Sequence, residues 1–305
     1  MTAYPRDLVG YGAAPPHPRW PGDARIAVQF VINYEEGGEN CILHGDEASE
    51  AFLSEIVGAA PWVGQRHMNM ESIYEYGSRS GFWRLHRLFT GRAMPVTVFG
   101  VATAMARNPD IVRAMQDAGW DIATHGLKWI DYRNLPATTE AEHIAEAVRI
   151  HAGLTGARPT GMYQGRTSEH TIALTQAEGG FLWSADTYAD ELPYWVEGPN
   201  GNGGNGPFLM VPYTLDANDM RFATPQGFNT GDQFFTYLKD SFDTLYAEGV
   251  SAPRRPWSGP LRALRRRVSG PGAGNTHRGD GRHGPSAKRL AGLRPYSRNP
   301  HRERA

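Results

Sequence analysis

Residues 25–34 read RIAVQFVINY, and Glu35-Glu36-Gly37-Gly38-Glu39 follows at once. The run is almost wholly apolar and rich in β-branched and aromatic side chains, which suits a buried strand. It sets three carboxylates at the C-terminal end of that strand. Outward from here, helix and strand signals alternate. Residues 47–57 and 80–88 read as helices, the second with Phe82, Leu85 and Leu88 at helical spacing. Residues 95–101 (PVTVFGV) read as a strand, and 103–118 as a helix interrupted near Pro109. Residues 120–124 form a short strand ending at His125-Gly126. A helix over 139–154 has Thr139 as its cap and Glu142 at capping-box spacing. Further strands fall at 160–163, 181–183 and 208–212, with helices at 171–178 and 232–248. On the last helix Phe235, Leu238, Phe242, Leu245 and Tyr246 make the apolar side.

Strands that alternate with helices imply a parallel sheet, open or closed into a barrel. Glu35, Glu36, His125, Arg166 and Asp186 all come just after expected strands. In a barrel that is the C-terminal face, where active sites gather. Adjacent carboxylates can divide labour between activating water and holding a cation, but side chains alternate along a strand, so both converge only if the strand has ended. A histidine can carry protons or bind a metal, and an arginine after a glycine can steady an oxyanion. Each has a plainer reading: a solvated acidic loop, a hydrogen-bonded loop histidine, a structural ion pair. Tyr74, Tyr76 and Arg79 line a pocket or anchor a helix.

Composition narrows the classes. The chain has 305 residues, 40% of them apolar, enough for a sizeable core. No apolar run reaches the roughly 18–20 residues of a membrane helix, and no secretory signal opens the sequence. Cys41 is the single cysteine, which excludes a disulfide framework and suits the cytoplasm. Charge is split. Residues 1–252 carry 17 Lys+Arg against 30 Asp+Glu, and residues 253–305 carry 14 against 2. The expected organisation is an extended arm over 1–24, a barrel domain over 25–252 and a basic tail over 253–305.

The body resembles the polysaccharide-deacetylase (NodB-homology) superfamily, and within it the allantoinase branch. The resemblance rests on Tyr4-Pro5-Arg6-Asp7-Leu8, Asn33 to Glu39, Tyr74-Glu75-Tyr76-Gly77-Ser78-Arg79, Thr124-His125-Gly126 with Trp129-Ile130-Asp131-Tyr132, Gly165-Arg166-Thr167, Asp186-Thr187-Tyr188, and Pro212 to Phe222. It implies a distorted (β/α)7 TIM-like barrel, usually a homotetramer, that hydrolyses the cyclic amide of allantoin to allantoate in purine catabolism. Glu35 and Glu36 occupy the places of the deacetylase base and first metal ligand. His125 matches the first metal histidine, but Trp129 stands where the second belongs. One histidine and one carboxylate make a poor zinc site, so no cofactor is expected, with zinc on Glu36 and His125 as the alternative. The catalytic set is then Glu35, Glu36 and His125. The substrate-binding set is Arg166, Asp186, Trp129, Tyr76 and Arg79. The alternatives are an N-deacetylase of chitooligosaccharides and a non-catalytic subunit with a basic tail.

The resemblance stops near residue 252, before the last βα unit. Residues 253–305 contain 13 Arg, 8 Gly and 7 Pro and no apolar period. They read as the out-of-frame translation of a GC-rich gene, or else as a tail that contacts nucleic-acid phosphates. The first reading leaves the barrel open along one side and leads to an expectation of poor solubility and little or no activity for this chain. No membrane partner is expected.

Overall fold

The computed structural model describes residues 6–13, 15–196, 207–225 and 227–249. The basic tail therefore lies outside the described residues, as does most of the Gly/Asn-rich stretch before Phe208. Strand β1 (Val31–Tyr34) is followed by an antiparallel ribbon of β2 (Ala48–Ser49) and β3 (Trp62–Val63). Helices α1 (Met68–Tyr76) and α2 (Phe82–Thr90) are joined through a π-helical turn, Gly77–Gly81. Then come β4 (Thr97–Gly100), α3 (Ala102–Arg107), α4 (Pro109–Asp117), β5 (Asp121–Thr124) and α5 (Ala137–Thr155). The chain continues through β6 (Gly161–Met162), α6 (Thr171–Glu178), β7 (Trp183–Ser184), β8 (Tyr194–Val196), β9 (Phe208–Met210) and α7 (Gly231–Glu248).

Seven strands form one sheet in the order β1-β4-β5-β6-β7-β9-β8. All neighbours from β1 to β9 are parallel, and β8 is added antiparallel at the far edge. The sheet curls upon itself. Val31, Phe99, Ala123, Tyr163, Ala185 and Tyr213 come from or just follow β1, β4, β5, β6, β7 and β9, and they meet in one buried cluster. Asn33 Nδ2 donates to the Tyr213 hydroxyl at 3.4 Å, linking the first strand to the sixth parallel one. Among the described residues no backbone ladder joins β1 to β9, so contact between these ends runs through side chains. The outer face of the sheet carries the larger core, where Ile32, Tyr34 and Val98 pack with Tyr74, Phe82, Leu85, Phe89, Ile111 and Met115 of α1, α2 and α4. This is the parallel α/β sheet expected from the alternation of elements, in the barrel form that the family resemblance implies.

Several elements differ from the sequence reading. Only 31–34 of the first apolar run pair, because the β1–β4 register begins at Val31 opposite Thr97. Residues 47–57 are not a helix. They hold β2 and a chain of turns, in which the Glu50 carboxyl accepts from the amides of Ala51 and Phe52, both at 2.9 Å. Such local side-chain bonding competes with helical pairing. Helix α1 and strand β8 carry too little periodicity to be read in advance. On α7 the structure buries Phe234 and leaves Phe235, Phe242 and Tyr246 exposed. Phe234 wins because Phe222 and Phe228 receive it, with ring centroids 5.5 and 5.1 Å away.

Candidate active site at the C-terminal mouth of the strands

The phase of β1 and the turn that follows it decide the fate of the adjacent acids. Val31 and Asn33 face inward, and Glu35 continues that series into the mouth. Its Oε1 lies 3.3 Å from His125 Nε2, with Glu35 and His125 2% and 1% exposed. The contact falls short of hydrogen-bond geometry, and both ring nitrogens of His125 lack a hydrogen-bond partner among the described residues. Bonds of this kind commonly tighten only when substrate is present. His125 stands over the aromatic plug of the barrel, 4.9 Å from the Tyr163 ring and 6.5 Å from Phe99. Burial there pushes its pKa down to about 4, and Arg166 adds to the fall while Asp186 opposes it. The imidazole is therefore neutral at physiological pH.

Glu36 points the other way. Its Oε2 accepts from the Glu35 amide at 3.1 Å, and its carboxyl packs on Gly77, where a Cβ would collide with it. Burial raises it to about 8, and the nearby Glu39 carboxyl adds to the rise. Glu35 and Glu36 do not converge although β1 ends at Tyr34: a turn at Glu36-Gly37, closed by the Gly38 amide donating to Glu35 O at 2.7 Å, carries the Glu36 carboxyl toward Gly77. Glu36 belongs to the wall beside the π-helical turn.

The opposite wall is built around Arg166. Its guanidinium lies 3.7 Å from the centroid of the Trp129 ring, a close cation–π stack. Nη1 is 3.5 Å from Glu50 Oε2. Trp129 is held in turn: its amide donates to Gly38 O at 2.7 Å, and it forms a bridge with Glu39. Thus the loop carrying Glu35 is tied to the segment carrying Trp129. Asp186, expected to orient Arg166 or His125 or to bind substrate, spends its oxygens on the chain instead. It accepts from the amides of Gln164 (2.9 and 2.8 Å) and Gly165 (2.7 Å) and from the Ser184 hydroxyl at 3.2 Å. Burial nevertheless raises its pKa, the amide bonds pulling the other way. Asp186 thereby fixes the turn that launches Arg166. Gly165 has φ +79°, and a Cβ there would press on His125 and Tyr163, so this turn requires glycine.

Two expected substrate binders do not join this cluster. Arg79 is exposed and pairs with Glu75 one helical turn away, at 3.7 Å. Tyr76 sits half-buried on α1, and among the described residues no hydrogen bond, ion pair or ring contact is seen between it and Glu35, His125 or Arg166. The sequence passes over Glu50 and leaves Tyr74 between a pocket wall and a helix anchor. Glu50 lies in the segment read as a helix. Tyr74 is 8% exposed, and its hydroxyl has no hydrogen-bond partner among the described residues. Burial, together with Glu39 and Glu50, keeps that phenol protonated. The stretch Tyr74-Glu75-Tyr76-Gly77-Ser78-Arg79 offered Tyr74 and Arg79 equally, and only the helix phase separates them.

A catalytic zinc of the deacetylase kind needs about three protein donors. Among the described residues no three His, Cys, Asp or Glu side chains gather to hold a metal. Glu36 faces away from His125, and Trp129 takes the place of a second histidine. The donor set does not fit the metal.

A buried acid–imidazole pair therefore stands at the mouth of a curled, mostly parallel α/β sheet. The polysaccharide deacetylase family model matches residues 69–177. A protein of Schizosaccharomyces pombe described as "Putative polysaccharide deacetylase" is 40% identical over 264 residues, 82% of each chain. A crystal structure described as "probable Polysaccharide deacetylase" from Pseudomonas aeruginosa is 56% identical, covers 86% of this chain and 90% of its own, and superposes with a TM-score of 0.79. The structure titled "Crystal structure of Puue Allantoinase" is also 56% identical, with 87% and 90% covered and a TM-score of 0.78. The chain belongs to the polysaccharide deacetylase family. No described helix is long and apolar enough to cross a membrane.

Proposed function

We propose that this chain is a hydrolase of cyclic amides whose substrate is allantoin, opened to allantoate by groups of the protein alone. The observation that carries the reading is the Arg166–Trp129 stack together with the Glu35–His125 pair, Arg166 lying near enough to His125 to act on its charge. A flat guanidinium on an indole face suits a small planar ring rich in N–H and C=O groups. It stands where a metal-dependent deacetylase would need a second histidine. The 56% identity to a structure titled as an allantoinase supports the same substrate. Deacetylation of an N-acetylated sugar is the second reading, favoured by the names of the Schizosaccharomyces and Pseudomonas relatives and disfavoured by the donor set.

In the proposed reaction Glu35 takes a proton from water as the oxygen attacks the ring carbonyl. The developing oxyanion is met by the neutral His125 N–H and by guanidinium N–H groups of Arg166. The tetrahedral intermediate collapses with cleavage of the C–N bond, and Glu35 returns the proton to the departing ring nitrogen. Water is consumed, and the new carboxylic acid releases its proton to solvent to leave the carboxylate. The barrel floor of Phe99, Tyr163 and Tyr213 keeps bulk water from beneath His125. The test is to incubate the purified chain with allantoin and, separately, with chitooligosaccharides. Allantoate formation without acetate release is expected. Acetate release without allantoin opening would overturn the reading.

A further inference from the structure

Glu50 is 6% exposed, yet nothing in the sequence marks it for function. Its two oxygens have separate duties. Oε1 accepts from the amides of Ala51 and Phe52, both at 2.9 Å, which locks the carboxyl's orientation. Oε2 is left to face Arg166 Nη1 at 3.5 Å. Its backbone is pinned as well, the Glu50 amide donating to Asn40 O at 2.8 Å. A guanidinium has five N–H donors, and only part of that fork can be used by one carboxylate oxygen. Arg166, 29% exposed at its side chain, therefore keeps donors for a ligand in the mouth.

We propose that Glu50 is a positioning residue that sets the substrate class of this site. It clamps Arg166 on Trp129 and cancels its charge, so that the guanidinium presents N–H groups to a neutral carbonyl and does not capture a carboxylate. The idea rests on the cyclic-amide reading. An amide hydrolase turns a neutral substrate into an anion at the same spot. An unpaired arginine would hold that product by a charge-assisted, two-pronged bond. A partner already in place weakens that hold and lets the product leave. It also stops the long arginine chain from exploring other rotamers, which lowers the cost of binding substrate.

Three variants test this: Glu50→Gln, Glu50→Ala and Glu50→Asp. Gln keeps the acceptor for the Ala51 and Phe52 amides, so the loop is retained while the charge is lost. The first measurement is labelling of Arg166 by phenylglyoxal, located by peptide mass spectrometry, which needs no turnover. Labelling is expected several-fold faster in Glu50→Gln and Glu50→Ala, with Glu50→Asp partly restoring the slow rate. The second is allantoin kinetics with added allantoate. In Glu50→Gln, KM should rise about tenfold and allantoate inhibition should tighten about tenfold, with kcat at saturation changed less. Unchanged labelling of Arg166 overturns the proposal, as does a Glu50→Gln loss confined to kcat with unaltered allantoate inhibition. If the unmutated chain does not open allantoin, the substrate reading fails alone, and the labelling still decides whether Glu50 holds Arg166.

Discussion

The two walls of the mouth are built in opposite ways. On one side Glu35 and His125 are dry, nearly in contact, and floored by packed aromatic rings. On the other, Arg166 is partly open to water and held by a ring face and one carboxylate oxygen. The first wall can afford no alternative geometry, because buried groups that shift lose both packing and field. The second can give by a fraction of an ångström. In this account the dry wall performs the proton transfers and the wet wall chooses and releases the ligand. Mutations on the two sides should therefore separate into kcat and KM effects.

The largest effect is expected on the dry wall. Glu35→Gln keeps the shape and removes the base, and should lower kcat by about a thousandfold with little change in KM. A steady-state comparison with allantoin checks it, and a KM effect alone would erase the distinction between the walls. Next comes the wet wall. Arg166→Lys keeps the charge but loses the planar fork and the stack, so KM should rise by roughly ten- to a hundredfold while kcat changes less. The same kinetics read it.

A third expectation sharpens the contrast through pH. A free imidazole titrates near 6.5, whereas burial holds His125 down to about 4. Its neutral form is the working one, and that form is present above the depressed pKa and lost as pH falls through it. The kcat/KM profile should therefore show no histidine step near 6.5 from His125, and any acid limb that it imposes should lie near 4. A pH-dependent loss centred on 6.5 and abolished by His125→Asn would contradict the dry wall. The smallest effect concerns the support behind it. Gly77→Ala would drive a methyl into Glu36, and overpacking of this sort costs about 1–3 kcal/mol. Denaturant midpoints should fall, while kinetics of the folded fraction change little.

The alternation of apolar strands with helical segments made the barrel class legible, and the strand ends at His125 and Arg166 located the mouth. The divergence of Glu35 and Glu36 was not legible, because the strand ends at Tyr34 and a turn at Glu36-Gly37, not the period of the strand, sets where Glu36 goes. Glu50 was hidden for a different reason. Its segment looks helical by composition, and its role arises from a contact with Arg166, 116 residues away. Asp186 was found by position, and its hold on the turn before Arg166 runs through the amides of Gln164 and Gly165, which are invisible in a list of side chains. The apolar stripe of α7 was displaced by one residue because Phe222 and Phe228, not helix periodicity, choose which ring is buried.

Central to the account is that Glu35 and His125 act as one unit. The most direct measurement is a double-mutant cycle on kcat/KM for allantoin, with Glu35→Gln, His125→Asn and both together. The account expects each single variant to lose most of the activity and the double variant to lose scarcely more than the worse single one. Losses that multiply would mean two groups working independently, and would contradict the pairing seen at 3.3 Å.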